Sequence, residues 1–493
     1  MSGDAIIAII IFAAAMVATV GVGLWSGRGR EKSMTEWSIS GRGLGVIFIL
    51  LLMAGETYTS FSFLGTAGWS YEYGVPILYL IAYLSVGLVV AYLVAPLLWT
   101  YASRHDLVCI SDFAEHRFKS RPLGILVAVL ATIFLIPYIQ VQIQGMGAVV
   151  NAMSYGAIDL NAAAIISFIV AEAFILVSGL RGSAWVSVLK DGLVILSVVF
   201  LAVYVPLHYF DGIGEFVTKM VAEKPEWLTF PGHGPGTFGS TWFISTIVLN
   251  AVTIVIFPTT VAGYLSSKSP NTLRRNSIIL PWYQLLLIVP MVIGCVALFV
   301  VPALKDSDLA LYSVVVDSLP APIVAVIGVA GALSAIVPMS VFMLSIGTMW
   351  GRTILGGGMR GPAKTEAQDA RQKQIAQLVC LLVGVLALAG SLFLPGALVN
   401  LSVLSYEGLA QLVPVVLLSL YWPRMSKVAG ASGLIVGSIA MVVLHYTGHD
   451  PLWGINGGLI ALALNLIVVI AVTAAKPDPR SRAASARATA EVN

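Results

Sequence analysis

The sequence predicts an all-α integral membrane protein with thirteen transmembrane helices. First, 58% of its 493 residues are apolar and only 10% are charged, whereas soluble domains carry roughly 25% charged residues. Second, unbroken apolar stretches of about 20 residues or more recur along the chain, which is the length needed to cross a bilayer as a helix. The strands of a β-barrel would instead alternate apolar and polar residues. The composition therefore excludes a water-soluble globule and disfavours a barrel.

The apolar stretches define thirteen predicted helices, named TM1 to TM13 in chain order. Their predicted bounds are 4–26, 44–69, 75–100, 122–150, 159–179, 185–208, 241–264, 276–303, 321–351, 375–397, 400–421, 428–446 and 454–474. Residues 1–475 thus form one membrane domain. The segment 476–493 is rich in Ala, Ser and Arg, which predicts a disordered tail.

The basic residues of the loops predict the orientation of the chain. Of the 27 lysine and arginine residues, all but Lys219, Lys224 and Lys305 fall on one side of the predicted membrane. The positive-inside rule then places the N-terminus outside and the C-terminus in the cytoplasm. Basic loops on the cytoplasmic side are typical of proteins of the bacterial inner membrane, where we expect this chain to lie. The net charge of +3 is spread over the loops, so we expect no nucleic-acid partner.

Several other classes of protein lack support in the sequence. It contains no HExxH motif and no GxxxxGK[ST] loop, which are typical of zinc proteases and ATP-driven pumps. The tail after TM13 is too short for the output domain that a membrane sensor usually carries. We therefore expect no enzymatic activity and no cofactor.

TM2 contains an unusual run of polar residues, LLMAGETYTSFSFLGTAGW at 51–69. Its polar members begin with Glu56, Thr57, Tyr58, Thr59 and Ser60. Polar side chains at mid-depth are costly and usually face a cavity or a protein interior. Hydroxyls can also bond back to their own helix, but that explains one or two of them, not five beside a carboxyl group. We interpret the stretch as a discontinuous helix that offers carbonyls to a cation and N–H groups to an anion.

Two further segments carry candidate binding residues. In TM4, Gln140 and Gln144 share one helix face at four-residue spacing, and Tyr138 lies nearby in the sequence. In TM7, Pro258 precedes Thr259, and a proline removes one helical hydrogen bond. This predicts either a second helix break or an ordinary kink.

Three motifs in order resemble the sodium:solute symporter family. They are FLGTAG at 63–68, which resembles the second helix of that family, ISDFAEHRF at 110–118, and SGLRGSAWVSVLK at 178–190. The resemblance covers residues 1 to about 475. It implies an inverted-repeat (5+5) fold in which TM2–TM6 and TM7–TM11 are the repeats and TM2 and TM7 are the broken helices. It also implies cation-coupled solute uptake, and members of this fold can act as monomers, so no oligomer is required.

Within the family, the chain looks most like the monocarboxylate permease branch. The supporting segments are 58–65, IPYIQVQIQG at 136–145, Val337-Pro338, and LSSKS at 265–269 with Arg274-Arg275. This resemblance implies a small carboxylate substrate such as pyruvate, lactate or acetate. Two alternatives stay open: a sodium-coupled symporter for an amino acid, pantothenate or another solute, and a solute sensor without net transport.

The resemblance also implies where a coupling sodium ion would bind. In sodium-coupled members the ligands are TM2 carbonyls, which map to Gly55 and Tyr58, and TM9 groups in the segment around Ala335. The usual hydroxyl pair falls on Pro338 and Met339, which offer no side-chain oxygen, although sodium-like hard cations prefer oxygen ligands. Ser340, one residue further, would point about 100° away on a regular helix. The sequence therefore disfavours a sodium ion at Gly55, Tyr58 and Ala335.

TM6 departs from the sodium pattern as well. Ser187 stands where family members often carry an acidic residue, and Lys190 stands where glutamine is common. In some proton-coupled carriers of the wider fold, a lysine occupies the sodium position. We hypothesise that Lys190 does so here, with Asp191 or Glu56 as alternative proton carriers. The competing interpretation is a lysine at the cytoplasmic end that extends to the headgroups. On this basis H⁺ is favoured over Na⁺.

Overall fold

The computed structural model describes residues 3–26, 34–234, 236–358 and 366–478. Within these ranges the chain is helical and contains no β-strand. The predicted tail falls outside the described residues, apart from its first three. The all-helical fold class predicted from the composition is confirmed for the described part of the chain.

Twenty α-helices follow one another in the described ranges. They are α1 (Gly3–Ser26), α2 (Met34–Ile39), α3 (Val46–Thr57), α4 (Thr66–Glu72), α5 (Tyr79–Arg104), α6 (Ile110–Phe118), α7 (Arg121–Met153), α8 (Leu160–Tyr209), α9 (Ile213–Glu223), α10 (Ser240–Ile254), α11 (Pro258–Ser266), α12 (Pro270–Gln284), α13 (Ile288–Val300), α14 (Ala310–Ser318), α15 (Ala321–Met349), α16 (Glu366–Phe393), α17 (Leu398–Ala410), α18 (Ser419–Tyr421), α19 (Lys427–Tyr446) and α20 (Gly457–Ala475).

Ten helical segments in the described ranges are long and apolar enough to cross a membrane, and two bent helix pairs raise this number to twelve. The predicted TM5 and TM6 both lie in α8, whose 50 residues form one continuous helix. Such a helix is about 75 Å long, far more than the ~30 Å hydrocarbon core. The only apolar segment at TM5 among the described residues is the shorter Leu160–Ile175. The count of thirteen therefore stays a prediction.

Both predicted helix breaks are present. The segments Val46–Thr57 and Phe61–Glu72 meet at 55°, and α10 meets α11 at 41°. At the first break Tyr58 leaves the helical conformation, with φ −90° and ψ 83°. At the second break Pro258 begins α11, where its missing N–H costs nothing because the first N–H groups of a helix have no internal partner.

The two bent pairs lie next to each other in the centre of the molecule. α11 packs against α3 and α15, and α3 also packs against α8 and α12. α15 is buried over almost its whole length and lies against α7 and α8. This arrangement brings the break of the first pair close to α8, which carries Lys190.

Candidate functional site

The side chain of Lys190 reaches the break in the first bent pair. Its Nζ donates hydrogen bonds to the carbonyls of Gly55 and Tyr58, both at 3.1 Å, and lies 3.0 Å from Asp191 Oδ1. An ammonium group has three donors, and here it meets three acceptors. The Lys190 side chain is 0% exposed. It therefore does not extend to the headgroups, and it contacts the two carbonyls that the family resemblance assigned to a cation.

The local backbone makes room for this ammonium group. A Cβ atom on Gly55 would lie 3.2 Å from Ser187 Oγ and 3.4 Å from Lys190 Nζ, so glycine allows α8 to approach α3. Tyr58 is the C-cap residue of α3, and carbonyls at a helix end have no partner within the helix. Ser187 donates its hydroxyl to the carbonyl of Ser183, within its own helix. Lys190 is thus the side chain that satisfies these two carbonyls.

Asp191 links this site to a third helix. The hydroxyl of Tyr283, on α12, donates to Asp191 Oδ1 at 3.3 Å. The Tyr283 ring also packs edge-on against Tyr58, with centroids 5.0 Å apart. Within the described residues Asp191 Oδ2 is buried without a hydrogen-bond partner. Lys190 and Asp191 therefore form a buried ion pair that joins α3, α8 and α12.

The α15 side of the site offers few oxygen atoms. The predicted cation positions Ala335, Pro338 and Met339 are all buried in α15. Ser340 Oγ lies 2.6 Å from Ser183 Oγ on α8 and donates to the Val337 carbonyl of its own helix. Its hydroxyl is thus already hydrogen-bonded to α8 and to its own backbone.

Glu56 lies between the two bent pairs. Its Oε2 accepts a hydrogen bond from Thr260, on α11, at 3.4 Å, and its Oε1 is buried without a partner among the described residues. Thr57 bonds back to the Ala54 carbonyl of its own helix, as the alternative interpretation held for single hydroxyls. A cavity of about 30 Å³ adjoins the carboxyl group. Its polar lining consists of Glu56, Thr57, Thr260, Tyr264 and Gln284.

The backbone donors predicted to hold an anion are engaged within the protein. The N–H of Thr59 donates to Ser62 Oγ at 2.7 Å, and the N–H of Ser60 donates to Gln142 Oε1 at 3.2 Å. Ser60 Oγ is buried and unpartnered in the part of the chain that the structure describes. An anionic ligand at this point would have to replace Gln142 as the acceptor.

The structure separates the glutamines of α7. Gln140 Nε2 donates to the carbonyls of Gly390 and Leu394 at 3.1 and 2.8 Å, so it faces α16 instead of the helix break. Gln142, about 200° further round the helix, is the one that contacts Ser60. Gln144 is half-buried. Four-residue spacing showed which side chains share a face, but the rotation of α7 against its neighbours has no signal in the sequence.

Aromatic rings surround Tyr138 next to both helix breaks. Its centroid lies 6.4, 5.6, 4.9 and 6.1 Å from the rings of Phe61, Phe257, Phe342 and Tyr406, respectively. Phe61 follows the first break, and Phe257 immediately precedes Pro258 and the buried Thr259 at the second. Apolar walls with a few polar groups are typical of small-molecule sites, and midplane helix breaks are where transporters of this design bind solutes.

A second aromatic cluster closes the far end of the first bent pair. Trp69, on α4, is 1% exposed. Its ring lies 4.6 to 6.2 Å from the rings of Tyr73, Tyr79, Phe238 and Trp242. In the predicted orientation this cluster is on the outer side of the membrane. Its members come from two stretches of the sequence, 69–79 and 238–242, which the fold brings together.

Two bent membrane helices that lie together around a buried cation site define a solute transporter built on broken helices. The sequence profile of the sodium:solute symporter family matches residues 37–437, and the chain belongs to this family. It is 34% identical to the uncharacterized symporter YhjB of Bacillus subtilis (strain 168), over 97% of this chain and 99% of that protein. It is 25% identical to the monocarboxylate transport permease protein of Rhizobium johnstonii, over 96% and 97%.

The fold is shared with a solved transporter. A Na⁺-coupled sialic acid symporter in its substrate-bound, outward-open state superimposes with a TM-score of 0.79 at 16% identity, over 96% of this chain and 98% of that chain. The family identifies the chain as an integral membrane solute symporter, and this neighbour shows the fold.

Proposed function

We propose that the chain is a proton-coupled symporter for a small monocarboxylate, in which the Lys190 ammonium group takes the place of a coupling sodium ion. The observation that carries the proposal is the pair of 3.1 Å hydrogen bonds from Lys190 Nζ to the carbonyls of Gly55 and Tyr58. These are the carbonyls that the family pattern assigns to sodium. The absence of side-chain oxygens at Pro338 and Met339 supports the same conclusion, because a sodium ion there would lack two ligands.

Protonation of Lys190 would control how firmly the broken helix is held to α8. The charged ammonium has three N–H donors, whereas the neutral amine has two. Loss of the proton therefore removes the Lys190 donor from one acceptor. Asp191 Oδ1 keeps the Tyr283 hydroxyl as a donor, whereas the carbonyl of Gly55 or Tyr58 would lose the side chain that satisfies it. An unsatisfied buried polar group costs about 1–3 kcal/mol. That energy is enough to shift a two-state equilibrium several-fold, so the proton would couple to movement of α3 relative to α8.

Two carboxyl groups can receive or supply the proton. Asp191 is 3.0 Å from Lys190 Nζ and contacts the Tyr283 hydroxyl, which opens a route along α12. Glu56 follows Gly55 directly and faces Thr260 on the other bent pair. In this scheme Asp191 exchanges the proton with Lys190, and Glu56 links the state of the first bent pair to the second.

The substrate class rests on two kinds of support. The Rhizobium relative is named as a monocarboxylate transport permease. In the site itself, the N–H of Ser60 has a single neutral acceptor, Gln142, which a substrate carboxylate could displace with a stronger, charge-assisted bond. The rings around Tyr138 would enclose a small apolar substituent such as the methyl group of pyruvate. Within this site Ser60, Gln142 and Tyr138 are the proposed substrate contacts.

A second candidate is sodium-coupled symport of another solute, because the structural neighbour is a Na⁺-coupled symporter. In that case Lys190 would have to leave the carbonyls of Gly55 and Tyr58 during the cycle. A sensor without net transport is the third possibility. The three candidates predict different solute fluxes: uptake driven by protons, uptake driven by sodium, and no net uptake.

The test is uptake of labelled pyruvate into proteoliposomes that contain the purified protein. One set carries an inward proton gradient without sodium, and the other carries an inward sodium gradient at equal pH. We expect uptake with the proton gradient only. Uptake driven by sodium at equal pH would overturn proton coupling. No pyruvate uptake under either gradient would remove the monocarboxylate proposal and direct the test to other solutes.

A further inference from the structure

Three potential metal ligands, two of them five residues apart and the third 38 residues before them, meet at one end of the helical bundle. They are Glu407 on α17, His445 in the last turn of α19, and Asp450 in the connection from α19 to α20. One ligand atom of each lies within 4.8 Å of those of the other two. His445 Nδ1 is 3.8 Å from Asp450 Oδ2. None of these residues belongs to the proposed transport site.

One oxygen of each carboxylate group accepts a hydrogen bond that fixes its orientation. Asn456 Nδ2 donates to Glu407 Oε1 at 2.8 Å, and the backbone N–H of Gly457 donates to Asp450 Oδ1 at 2.8 Å. Of the second oxygens, Asp450 Oδ2 faces His445 Nδ1, and Glu407 Oε2 has no hydrogen-bond partner among the described residues. Donors that fix one oxygen and so aim the other are typical of the outer shell of metal sites.

The burial of Glu407 calls for a positive partner. The residue is 1% exposed, and Oε2 is buried with no hydrogen-bond partner among the described residues. A buried carboxylate is very costly unless it is paired, protonated or bound to a metal, and Asp450 places a second carboxylate beside it. The side chains of His445 and Asp450 are 33% and 13% exposed, so an ion could enter past them from the aqueous side.

We infer that Glu407, His445 and Asp450 form a binding site for a divalent transition-metal ion, with Zn²⁺ as the best match. Zinc accepts imidazole nitrogen and carboxylate oxygen at about 2.0–2.2 Å and needs only four ligands, so water can supply the fourth. Calcium and magnesium require six or more ligands, almost all of them oxygen, which this set does not provide. The three ligand atoms now lie within 4.8 Å of one another, and a bound ion would draw them closer together.

The site is connected to the second bent pair through its outer shell. The backbone N–H of Asn456 donates to Ser245 Oγ on α10 at 3.0 Å, and Asn456 is the residue that holds Glu407. A bound ion would therefore fix α17, the end of α19 and this part of α10 in one arrangement. We expect zinc to raise the thermal stability of the protein as well as to bind.

The test uses the full chain, purified without metal and titrated with Zn²⁺ alone by calorimetry, with bound zinc counted by elemental analysis. We expect one zinc ion per chain and a higher melting temperature. Glu407→Gln keeps an acceptor for Asn456 but loses the charge, and His445→Ala loses the nitrogen ligand. Each should weaken zinc binding at least about tenfold.

His449→Ala is the matched control, because His449 lies in the same connection and is exposed, with its ring bonded to Thr447. It should bind zinc as the unaltered chain does. The inference is overturned if the unaltered chain binds no zinc. In that case a proton shared by the carboxyl groups of Glu407 and Asp450 would explain how they lie side by side. It is also overturned if Glu407→Gln and His445→Ala both bind zinc normally. If Glu407→Gln fails to fold, Asp450→Asn replaces it in the same comparison.

Discussion

Removal of the Lys190 ammonium group leaves Asp191 as a buried carboxylate whose charged partner is gone. Breaking a buried ion pair in this way typically costs about 3–5 kcal/mol. We therefore predict that Lys190→Gln lowers the melting temperature in detergent. We also predict that it reduces proton-driven pyruvate uptake at least about tenfold, which corresponds to a loss of only about 1.4 kcal/mol. Thermal unfolding and proteoliposome uptake measure the two effects.

Two further variants separate the loss of stability from the loss of coupling. Lys268→Gln changes an exposed lysine beyond the end of α11 and should leave both properties unchanged. Lys190→Gln combined with Asp191→Asn removes both charges, so most of the stability should return while proton-driven uptake stays low. Wild-type uptake by this double variant would contradict the role of Lys190 in coupling.

At the residue scale, the sequence identified which residues belong to the site, but it did not show that their side chains contact one another. Gly55, Tyr58 and Lys190 could each be selected from family motifs. The depth of Lys190 could not, because an apolar flank surrounds a snorkelling lysine and a buried one alike. Likewise His445 and Asp450 are five residues apart, but only tertiary packing brings Glu407 to them, so no ligand motif marked the three residues in the sequence.

At the scale of the helices, contact between α3 and α8 depends on the missing side chain at Gly55. An added Cβ would lie within 3.2 Å of Ser187 Oγ and 3.4 Å of Lys190 Nζ, so one of these groups must shift. We predict that Gly55→Ala weakens proton-driven uptake several-fold while the protein still folds. Uptake in proteoliposomes and the melting temperature provide the measurement.

The matched control for this change is Gly263→Ala in α11. Its added Cβ would meet the side chains of Met53 and Glu56 at 3.7 and 3.9 Å, which are ordinary contact distances. Transport by this variant should match that of the unaltered chain. Equal losses in Gly55→Ala and Gly263→Ala would indicate a general effect of crowding between helices and not a specific effect on the Lys190 site.

The helix breaks were more predictable than the helix boundaries. Pro258 has no N–H to continue a helix, and the hydroxyl-rich run after Gly55 offers its backbone alternative partners, so both breaks left a local trace. Residues 180–184 were predicted to connect TM5 to TM6, yet α8 continues through them. A glycine costs a helix interior only about 1 kcal/mol, which packing of α8 against α7 and α15 can offset.

At the scale of the whole molecule, the predicted orientation can be tested with single cysteines. The three native cysteines, Cys109, Cys295 and Cys380, are all buried, so a membrane-impermeant thiol reagent should give little background. We predict that Lys305→Cys is labelled in intact cells and that Lys268→Cys is labelled only after the membrane is opened, since both positions are exposed to solvent. The reverse pattern would invert the proposed topology.

The carbonyls of Gly55 and Tyr58 hold a cation that is covalently part of the chain. A free ion must be captured from the surroundings in every cycle, so its site empties when the medium is dilute. The ammonium group of Lys190 is tethered to the chain, so its concentration at these carbonyls is the same at low and at high external salt. If Lys190 works as proposed, the host cell can take up carboxylates where sodium is scarce. It also need not spend energy to export sodium ions that entered together with the substrate.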